Sequence, residues 1–467
     1  MQLRSEKKTS QLRYFFKPES VAVVGVSRNP GKFGHIIFEN FLKSKYKGHV
    51  YAVNPKADMI LGKKCYPSVK EIPSSIDLAV IVVPAVEVEA VLHDCIRKRV
   101  KAAVIVSAGF SEIGHTDMEK KITEVTRNKM RVIGPNVIGI FDSHTHVDTI
   151  FNPTHRQERP PEGKISFISQ SGAFGAAIMD WSASEGIGLS KFISIGNRAD
   201  VDEVDLLEYL ARDKRTGAIA IYLEGAKNGR LLFETLKRIT KRKPVVLLKA
   251  GRTKEGSSAV SSHTGSMAGE SDIYTGMLKQ SGTIEAKSIE ELFEFSKALA
   301  YQPLPKSNRI AVITNGGGFG VLCADALIEN GLKLAKLSDS TIKVVRKHVP
   351  DYIIVSNPMD LTGDAGCSRY EIALNAVMND PSVDAVIVVL LLQISALQSD
   401  IVDLLVNFKT KKPILVCSTG GEYTNLHKKM LEKRGIPTYS SPERAAKAML
   451  ALVEYSQVIK KKILSQA

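Results

Sequence analysis

The residue best suited to chemistry in this sequence is His263, which stands in a loop of small residues at 261–269. The surrounding hydroxyls, and backbone N–H groups freed by two glycines, are the donors that an anion bound to or near the ring needs. A serine- and glycine-rich surface loop with an incidental histidine has the same composition. Because a lone histidine has neither metal-ligand spacing nor a nucleophile partner, the loop alone does not decide between these interpretations.

Two further segments offer groups that complement an imidazole. Residues 169–172 separate an apolar run from a helical pattern, and the N-terminus of a helix binds phosphoryl groups. Glu224 follows the apolar run 219–223. A carboxylate bonded to one ring nitrogen makes the other nitrogen a better nucleophile, although an ordinary surface acid also fits this position. With His263, these segments predict an imidazole nucleophile, an orienting carboxylate and an anion cradle.

Apolar runs alternating with helical segments must position these residues. In the N-terminal part, five runs have helical spacing between them, at 21–25, 49–54, 78–84, 103–108 and 131–136. This alternation of strands and helices predicts a parallel sheet with helices on both faces. Such a sheet binds ligands at the carboxyl ends of its strands.

The first strand-end loop, at 25–34, is rich in glycine and precedes a helix, so its N–H groups could hold a phosphate. It is not a G-x-G-x-x-G loop, and Lys56 ends the second strand where a nicotinamide-nucleotide site has an acid. Lys56 therefore favours a phosphorylated ligand, although a purely structural turn fits the loop nearly as well.

Beyond a polar linker at 151–163 the chain repeats itself. Residues 164–175 and 309–320 both show the pattern of a strand, a glycine turn and a helix, and two later pairs of segments match as well. The predicted fold class is α/β, with one domain at 1–150 and two sister parallel-sheet domains at 151–303 and 304–467. The His263 loop occurs in the first sister only, which favours chemistry over a scaffold role.

Composition excludes several classes of protein. The chain has 467 residues, of which 44% are hydrophobic and 24% charged, and it has neither a membrane-length apolar run nor an apolar signal segment. We therefore expect a cytoplasmic protein with no membrane partner and, from five scattered cysteines, reduced thiols. The net charge of +15 is interspersed with acids and lacks an aromatic-interleaved basic motif, so we expect no nucleic-acid partner.

A metal site can be drawn from the acids and histidines just before the linker. They are Asp142, His144, His146, Asp148 and His155. Because this cluster lies where the chain leaves a domain, a solvated loop is the more usual explanation, and we predict no metal here.

The segments 25–34, 53–56, 106–109, 134–136, 169–172 and 262–265, in this order and spacing, resemble the α subunit of ADP-forming (NDP-forming) acetyl-CoA and acyl-CoA synthetases, relatives of succinyl-CoA synthetase. The resemblance covers essentially the whole chain. It implies a Rossmann-like CoA-binding domain followed by two flavodoxin-like domains of the succinyl-CoA synthetase type, the last contributing to assembly.

The resemblance also implies roles for individual residues. His263 matches the family's transiently phosphorylated histidine, and Glu224 matches the glutamate that stabilises it. The positions that match CoA-binding residues are Gly25, Ser27, Arg28, Asn29, Pro30, Lys56, Val106, Ser107, Ala108 and Asn136. Those that match the phosphate-binding helix start are Ser169, Gln170, Ser171 and Gly172. Gln170 and Ala176 replace an arginine and a tyrosine of succinyl-CoA synthetase, so acetate or a similar monocarboxylate is expected.

The implied reaction converts acyl-CoA, ADP and phosphate reversibly to a carboxylic acid, ATP and CoA through an acyl phosphate and a phosphohistidine. The sequence has no G-x-x-x-x-G-K-[ST] segment for the nucleotide. In the family, ADP or ATP and Mg²⁺ bind mainly to an ATP-grasp domain. We therefore expect that domain on a separate β subunit, in an assembly of two α and two β chains.

Two other functions remain open. One is a non-catalytic acyl-CoA-binding regulatory protein, or a truncated relative of CoA-dependent protein acetyltransferases. The other is a nicotinamide-dependent oxidoreductase. His263 with Glu224 favours the synthetase over the regulator, and Lys56 with the missing G-x-G-x-x-G disfavours the oxidoreductase.

Overall fold

The computed structural model describes residues 6–258 and 271–464, and strands alternate with helices along them. The strands are β1 Ser20–Val24, β2 His49–Val53, β3 Met59–Ile60, β4 Lys63–Tyr66, β5 Leu78–Ile81, β6 Ala102–Ile105, β7 Arg131–Ile133, β8 Ile140–Asp142, β9 Val147–Asp148, β10 Glu162–Ser169, β11 Leu189–Ser194, β12 Ala218–Leu223, β13 Val245–Lys249, β14 Ile284–Ala286, β15 Arg309–Thr314, β16 Lys333–Leu334, β17 Met359–Asp360, β18 Ala385–Val389, β19 Ile414–Cys417 and β20 Thr438–Tyr439. The α-helices are α1 Glu6–Gln11, α2 Arg13–Phe16, α3 Phe33–Lys43, α4 Ala85–Arg97, α5 Thr116–Thr126, α6 Gly172–Ser184, α7 Glu203–Arg212, α8 Gly229–Ile239, α9 Ser271–Ser281, α10 Ile289–Tyr301, α11 Gly317–Glu329, α12 Asp339–Arg346, α13 Cys367–Asn379, α14 Asp400–Asn407, α15 Glu422–Lys433 and α16 Pro442–Leu464.

The contacts among the described residues divide the chain into two compact units. The first unit takes the N-terminal part up to residue 184, then 188–239 and 247–281. The second unit takes 185–187, 240–246 and the part from residue 282 onward. The first unit contains two sheets.

The N-terminal sheet has the strand order β3-β4-β2-β1-β5-β6-β7. All its neighbouring pairs are parallel except β3 with β4, and the register pairs Val21 with both Val50 and Leu78. Every residue of β1, β5, β6 and β7 is buried, as expected for strands covered by helices on both faces. The five predicted strands are therefore confirmed, and their carboxyl ends lie along one edge of the sheet.

The other sheet of the first unit contains the order β13-β12-β10-β11-β8-β9. The strands β12, β10 and β11 are parallel, whereas β8 and β9 join them as an antiparallel pair. These two strands cover residues 140–148, which the predicted boundary at residue 150 assigns to the domain before. The boundaries of the three predicted domains otherwise stay predictions.

The acids of the predicted solvated loop are buried in this sheet. Asp142 is fully buried, 3.4 Å from the ammonium of Lys191, and accepts two backbone hydrogen bonds that turn the chain into β9. Asp148 forms an ion pair with Arg159 at 2.8 Å. The loop prediction is therefore wrong for these acids, because buried cations compensate them. Among the described residues, no group of three or more His, Cys, Asp or Glu side chains is arranged to hold a metal.

The second unit contains a parallel sheet with the order β16-β15-β18-β19-β20, and β17 also pairs with β15. Its strands β15, β18 and β19 neighbour each other in the same way as β10, β12 and β13 in the first unit. The predicted repeat is thus confirmed in the order of the strands, and each copy begins with a strand, a glycine turn and a helix.

None of the described helices is both long and apolar enough to cross a membrane. The cytoplasmic location stays a prediction. All five cysteines are free; Cys367 is half-buried and the other four are buried.

Candidate active site

A cleft of about 1380 Å³ opens in the first unit at the strand ends of both its sheets. The N-terminal sheet contributes residues 82–83, 106–108 and 136 to its walls, and the second sheet contributes 170–173, 196–198 and 224. Loops that follow parallel strands carry the ligand-binding groups of such folds. The cleft therefore brings part of the predicted CoA-binding set, residues 106–108 and Asn136, together with the predicted phosphate segment within one unit.

The first strand-end loop depends on two glycines in close contact. Gly25 has φ +92°, and a Cβ added to it would lie 2.2 Å from the carbonyl oxygen of Val82. A Cβ on Gly34 would lie 2.2 Å from the oxygen of Gly25. Only glycine fits at either position, so the backbone of the loop can approach a ligand closely.

Side chains within this loop hold it as a turn. The hydroxyl of Ser27 accepts a hydrogen bond from the N–H of Asn29 at 3.0 Å, and the side-chain oxygen of Asn29 accepts one from Gly31 at 2.9 Å. Arg28, Asn29 and Pro30 are exposed. These three predicted CoA-binding residues thus lie at the surface, whereas Gly25 and Ser27 are half-buried, and none of the five lines the cleft.

Asn54 connects the second strand end to this loop. Its amide donates to the carbonyl of Val26 at 2.7 Å, and its oxygen accepts from the N–H of Lys56 at 2.8 Å. The Lys56 side chain is exposed. The structure therefore places two exposed cations, Arg28 and Lys56, on neighbouring strand-end loops.

The remaining predicted CoA-binding residues, 106–108 and Asn136, line the cleft. The hydroxyl of Ser107 donates to the carbonyl of Val83 at 2.6 Å, and its own carbonyl accepts from the N–H of Asn136 at 2.9 Å. These bonds fix the ends of β5, β6 and β7 relative to each other. Asn136 takes a left-handed conformation, with φ +62°.

The predicted phosphate segment forms the turn into α6. Ser169 is fully buried and its hydroxyl donates to the carbonyl of Ser171 at 2.6 Å, so it supports the turn and does not line the cleft. Gln170, Ser171 and Gly172 do line it. The hydroxyl of Ser171 accepts from the N–H of Phe174 at 3.4 Å, which caps the first turn of the helix.

Glu224 lies at the end of β12, on the cleft wall and only 7% exposed. The Gln170 side-chain oxygen accepts hydrogen bonds from the N–H groups of Glu224 and Gly225, at 2.9 and 3.2 Å. Tyr222 donates its hydroxyl to the Glu224 carboxylate at 3.4 Å. Burial, and then the adjacent Glu224, raise the pKa of Tyr222 to about 12, so it remains a donor at neutral pH.

His263 lies outside the described residues, but the structure describes the chain on both sides of its loop. Before it, Lys249 is 2% exposed, with its ammonium 4.8 Å from the ring centre of Tyr274 in α9. The Tyr274 hydroxyl accepts from the N–H of Ala226 at 3.1 Å. Burial lowers the pKa of Lys249, and the charge of Glu224 partly opposes this shift. Both flanks are therefore fixed close to the strand end that carries Glu224.

Sequence reasoning missed the loop after β11. Asn197 donates from its amide to the carboxylates of Glu112 at 2.6 Å and Glu119 at 2.9 Å, which belong to the N-terminal part of the unit. The rule that found the other strand ends gives only a weak signal here, because Ser190, Lys191 and Ser194 interrupt the apolar residues of 189–195 before Gly196 and Asn197.

Two cations lie on the cleft wall: Arg198 belongs to this loop, and Lys227 belongs to the loop after β12. Arg198 is 4% exposed, has φ +61° and donates to the carbonyl of Gly225 at 2.6 Å and to Glu203 at 3.1 Å. Lys227 donates to the carbonyl of Arg198 at 2.5 Å. The cleft thus has positive charge beside Glu224, on residues that the sequence analysis did not select.

Three family models match successive parts of the chain. They are the CoA binding domain at residues 19–142, the succinyl-CoA ligase like flavodoxin domain at 162–299 and the ligase-CoA domain at 310–457. The predicted fold class, with a CoA-binding domain followed by two domains of the succinyl-CoA ligase type, is confirmed.

Two curated relatives and one solved structure resemble nearly the whole chain. The α subunit of acetate–CoA ligase (ADP-forming) II from Pyrococcus furiosus is 42% identical over 96% of this chain and 98% of its own length. The acetate–CoA ligase (ADP-forming) of Methanocaldococcus jannaschii is 41% identical over 96% of this chain but 63% of its own length. The dinucleotide-forming acetyl-CoA synthetase 1 of Ca. Korarchaeum cryptofilum, solved with phosphate and ADP, has 39% identity and a TM-score of 0.91, over 98% of this chain and 99% of that one.

These names are those of ligases, which favours the predicted synthetase over a non-catalytic acyl-CoA-binding regulator. The match to a chain named as an α subunit also implies that a partner subunit exists. The chain, which carries a CoA-binding domain, belongs to the family of the ADP-forming acetate–CoA ligase α subunits.

Proposed function

We propose that this chain is the α subunit of an ADP-forming acyl-CoA synthetase, which reversibly converts acyl-CoA, ADP and phosphate to a carboxylic acid, ATP and CoA. The observation that carries the proposal is the shared cleft, in which residues 106–108 of the CoA-binding domain and the buried Glu224 line the same space. The thioester carbonyl and the group that accepts the phosphoryl can take part in one reaction sequence only if the two walls hold them close to each other.

The first domain has the groups that CoA needs. Its phosphates are assigned to the exposed loop 25–34, where close-packed glycines leave room for backbone approach and Arg28 and Lys56 supply charge. The thiol end is assigned to 106–108 and Asn136, which lie on the cleft wall. The two groups of predicted residues thus correspond to the two ends of one long ligand.

The reaction proceeds in three reversible steps. A phosphate oxygen attacks the thioester carbonyl, the C–S bond breaks, and CoA leaves as its thiolate while an acyl phosphate forms. An imidazole nitrogen of His263 attacks the phosphorus, and the carboxylate leaves with the electron pair of the P–O bond. The phosphohistidine then transfers its phosphoryl group to ADP, forming ATP and restoring the imidazole.

Glu224 and the start of α6 serve the second step. Glu224 orients the imidazole and stabilises the charge of the phosphohistidine, and Tyr222 and the Gln170-bound backbone hold the carboxylate in place. Ser171 and Gly172, with the positive end of α6, bind the phosphoryl oxygens. Gln170 acts mainly by holding Glu224, because its side-chain oxygen accepts hydrogen bonds from the N–H groups of Glu224 and Gly225.

The nucleotide and Mg²⁺ are assigned mainly to an ATP-grasp β subunit, in an assembly of two α and two β chains. Support comes from the relatives: the named α subunit matches over 98% of its length, whereas the longer M. jannaschii ligase extends well beyond the matched part. In that arrangement the phosphohistidine is the group that moves between the two subunits.

The test is phosphorylation of His263 from either side of the reaction. With ³²P-labelled acetyl phosphate, the α chain alone should acquire an acid-labile, base-stable label, and with labelled ATP and Mg²⁺ it should do so only beside an ATP-grasp β subunit. His263→Asn should remove the label, whereas His155→Asn, a change at an exposed histidine, should retain it. A wild-type chain that stays unlabelled by acetyl phosphate contradicts the proposed mechanism.

A further inference from the structure

The loop after β11 meets the N-terminal part of the first unit through the side chain of Asn197, which lies on the cleft wall. We propose that Asn197 is a positioning residue for acyl transfer to and from CoA. It holds residues 106–112 and Asn136 in place, and these include the groups assigned to the thiol end of CoA. This inference rests on the function proposed above, and it names a residue that acts through its neighbours and not on the reacting atoms.

The orientation of the Asn197 amide follows from its neighbours. Its nitrogen lies 2.6 Å from the carboxylate of Glu112, 2.9 Å from that of Glu119 and 3.2 Å from the hydroxyl of Ser111. Carboxylates only accept hydrogen bonds, so the nitrogen faces them and the amide oxygen faces the other way. That oxygen accepts a hydrogen bond from the amide of Asn136 at 3.3 Å. One side chain thus contacts both parts of the predicted thiol site.

Glu112 connects this amide to the segment that follows β6. Its carboxylate accepts hydrogen bonds from the N–H groups of Gly109 at 2.5 Å and Phe110 at 3.1 Å. These two residues directly follow 106–108, which line the cleft. Hydrogen bonds to a carboxylate are about twice as strong as those between neutral groups, so the turn at 109–112 is held firmly as long as the carboxylate is fixed. The Asn197 amide fixes it from the side of the cleft.

Glu112 and Glu119 place two like charges on the same part of the cleft wall. Two carboxylates that share a site disfavour each other's ionised form. The Asn197 nitrogen is within hydrogen-bond distance of both, and the Ser111 hydroxyl donates to Glu119 at 2.5 Å. These donors compensate the two charges. A further negative group in place of the Asn197 nitrogen would oppose them.

The backbone of this loop is held by bonds that do not depend on the Asn197 side chain. The N–H of Asn197 donates to the carbonyl of Pro135 at 3.0 Å, and the N–H of Ala199 donates to that of Gly134 at 2.9 Å. A Cβ added to Gly196 would lie 2.3 Å from the Pro135 oxygen, so the two backbones are in close contact. A shortened side chain at position 197 therefore leaves the loop beside the end of β7 and tests orientation, not folding.

The next residue in the loop contacts the other side of the cleft. Arg198 donates to the carbonyl of Gly225 at 2.6 Å, directly after Glu224 in the chain. Consecutive residues thus contact the CoA side and the Glu224 side. Because the bond from Arg198 does not involve Asn197, we expect phosphorylation of His263 to be independent of the Asn197 amide.

Two half-reactions of acetyl phosphate separate these sides, both measured on the full chain with its ATP-grasp partner and without nucleotide. In the first, an imidazole nitrogen of His263 attacks phosphorus, the P–O bond breaks and acetate leaves, so that CoA is not needed. In the second, the CoA sulfur attacks the carbonyl carbon, the C–O bond to phosphate breaks, and phosphate leaves with the thiol proton.

Asn197→Ala should lower kcat for acetyl-CoA formation about tenfold or more, because a misplacement of about 1 Å costs on the order of a hundredfold. The KM for CoA should change by less than about threefold, since the exposed loop at 25–34, assigned to the CoA phosphates, is untouched. The rate of His263 labelling by ³²P-acetyl phosphate should stay within about twofold of the wild type.

Asn197→Asp and Asn228→Ala complete the test. Asn197→Asp has nearly the same shape but adds a third carboxylate beside Glu112 and Glu119, so its kcat for acetyl-CoA formation should be lower than that of Asn197→Ala. Asn228→Ala is the matched control, because Asn228 is exposed in the same unit, lies outside the cleft wall and bonds to the start of α8. It should keep both rates.

The two rates also separate this inference from the proposed function. If Asn197→Ala forms acetyl-CoA at the wild-type rate, Asn197 does not position the CoA site. If it slows labelling and acetyl-CoA formation by the same factor, its role is structural and the inference is again wrong. If acetyl phosphate does not label the wild-type chain, the proposed function fails and the role of Asn197 fails with it.

Discussion

The side chain of Gln170 bonds to the backbone of Glu224: its amide oxygen accepts the N–H of Glu224 at 2.9 Å and that of Gly225 at 3.2 Å. The turn into α6 and the end of β12 are therefore joined by one side chain, and the position of the Glu224 carboxylate depends on it. Gln170 acts as a positioning residue within a segment that the sequence analysis assigned to phosphate alone.

Gln170→Leu should impair phosphorylation of His263. The variant leaves two N–H groups on the cleft wall without their acceptor, and an unsatisfied buried donor costs about 1–3 kcal/mol. We expect labelling by acetyl phosphate to slow at least tenfold while the Kd for CoA changes little. Gln302→Leu is the matched control, because Gln302 accepts the N–H of Ile414 in the other unit. A normal labelling rate in Gln170→Leu would show that Glu224 needs no such support.

Gly25→Ala should destabilise the first unit and weaken CoA binding. Alanine at φ +92°, with its Cβ 2.2 Å from the Val82 oxygen, must shift the backbone, and strain of this kind costs at least about 1–3 kcal/mol. Urea unfolding and calorimetric titration with CoA measure the two effects. Gly229→Ala should leave both unchanged, since nothing lies within 4 Å of its added Cβ. If Gly25→Ala and Gly229→Ala have the same stability and the same affinity for CoA, the loop at 25–34 does not have the CoA-binding role assigned to it.

Glu112 should make the first unit more stable at neutral than at acid pH. Burial acts to raise its pKa, but hydrogen bonds from Asn197 and from the backbone of Gly109 and Phe110 outweigh this and hold the pKa below the ordinary 4.5. A carboxyl whose pKa is lowered on folding contributes stability above its unfolded pKa, and that contribution is lost as the pH falls through the folded value.

The variant Glu112→Gln therefore should be less stable than the wild type at pH 7, and the difference should shrink between pH 4.5 and pH 3. Urea unfolding at several pH values measures it, with Glu124→Gln, an exposed acid on α5, as the control. If the difference in stability instead grows on acidification, the hydrogen bonds around Asn197 raise the pKa of Glu112 on folding and do not lower it.

Lys191→Met should cost about 3–5 kcal/mol of unfolding free energy, since it removes the cation that compensates the buried Asp142 and the half-buried Asp213. The ammonium lies 2.6 Å from Asp213 and 3.4 Å from Asp142, and its side chain is 1% exposed. Urea unfolding of the single variant and of Lys191→Met with Asp213→Asn checks this, since the second change should recover part of the loss. If the single variant loses less than about 1 kcal/mol, the antiparallel strand β8 does not depend on this ion pair.

Strand ends were predictable because their signal is local. A buried parallel strand reads as a continuous apolar run, and the run stops where the ligand-binding loop begins, as at residues 106 and 224. The repeat of 164–175 at 309–320 predicted two sister parallel-sheet domains for the same reason. The family resemblance then assigned chemistry to loops whose composition alone also fits surface turns.

The remaining features depend on contacts between distant residues. The short strands β8 and β9 contain Asp142 and Asp148, which lower strand propensity, and only their ion pairs with Lys191 and Arg159 make burial possible. Asn197 meets Glu112 across 85 positions of sequence, and no periodicity encodes that distance. From the sequence, Gln170 is predicted to bind phosphate, because its contact with the residues that follow β12 is visible only in the folded structure.

The buried thiols can serve as chemical probes of unfolding. Burial raises the pKa of Cys95 to about 12, and burial together with the nearby Glu443 raises the pKa of Cys417 to about 12. Neither thiol therefore forms a reactive thiolate at neutral pH while its unit is folded. Cys95 belongs to the unit with the cleft and Cys417 to the other, so the rate at which a maleimide modifies each one reports the opening of each unit separately. A ligand that slows modification of Cys95 but leaves the rate at Cys417 unchanged binds the first unit. The two buried thiols thus provide a binding assay that does not require a measurement of enzyme activity.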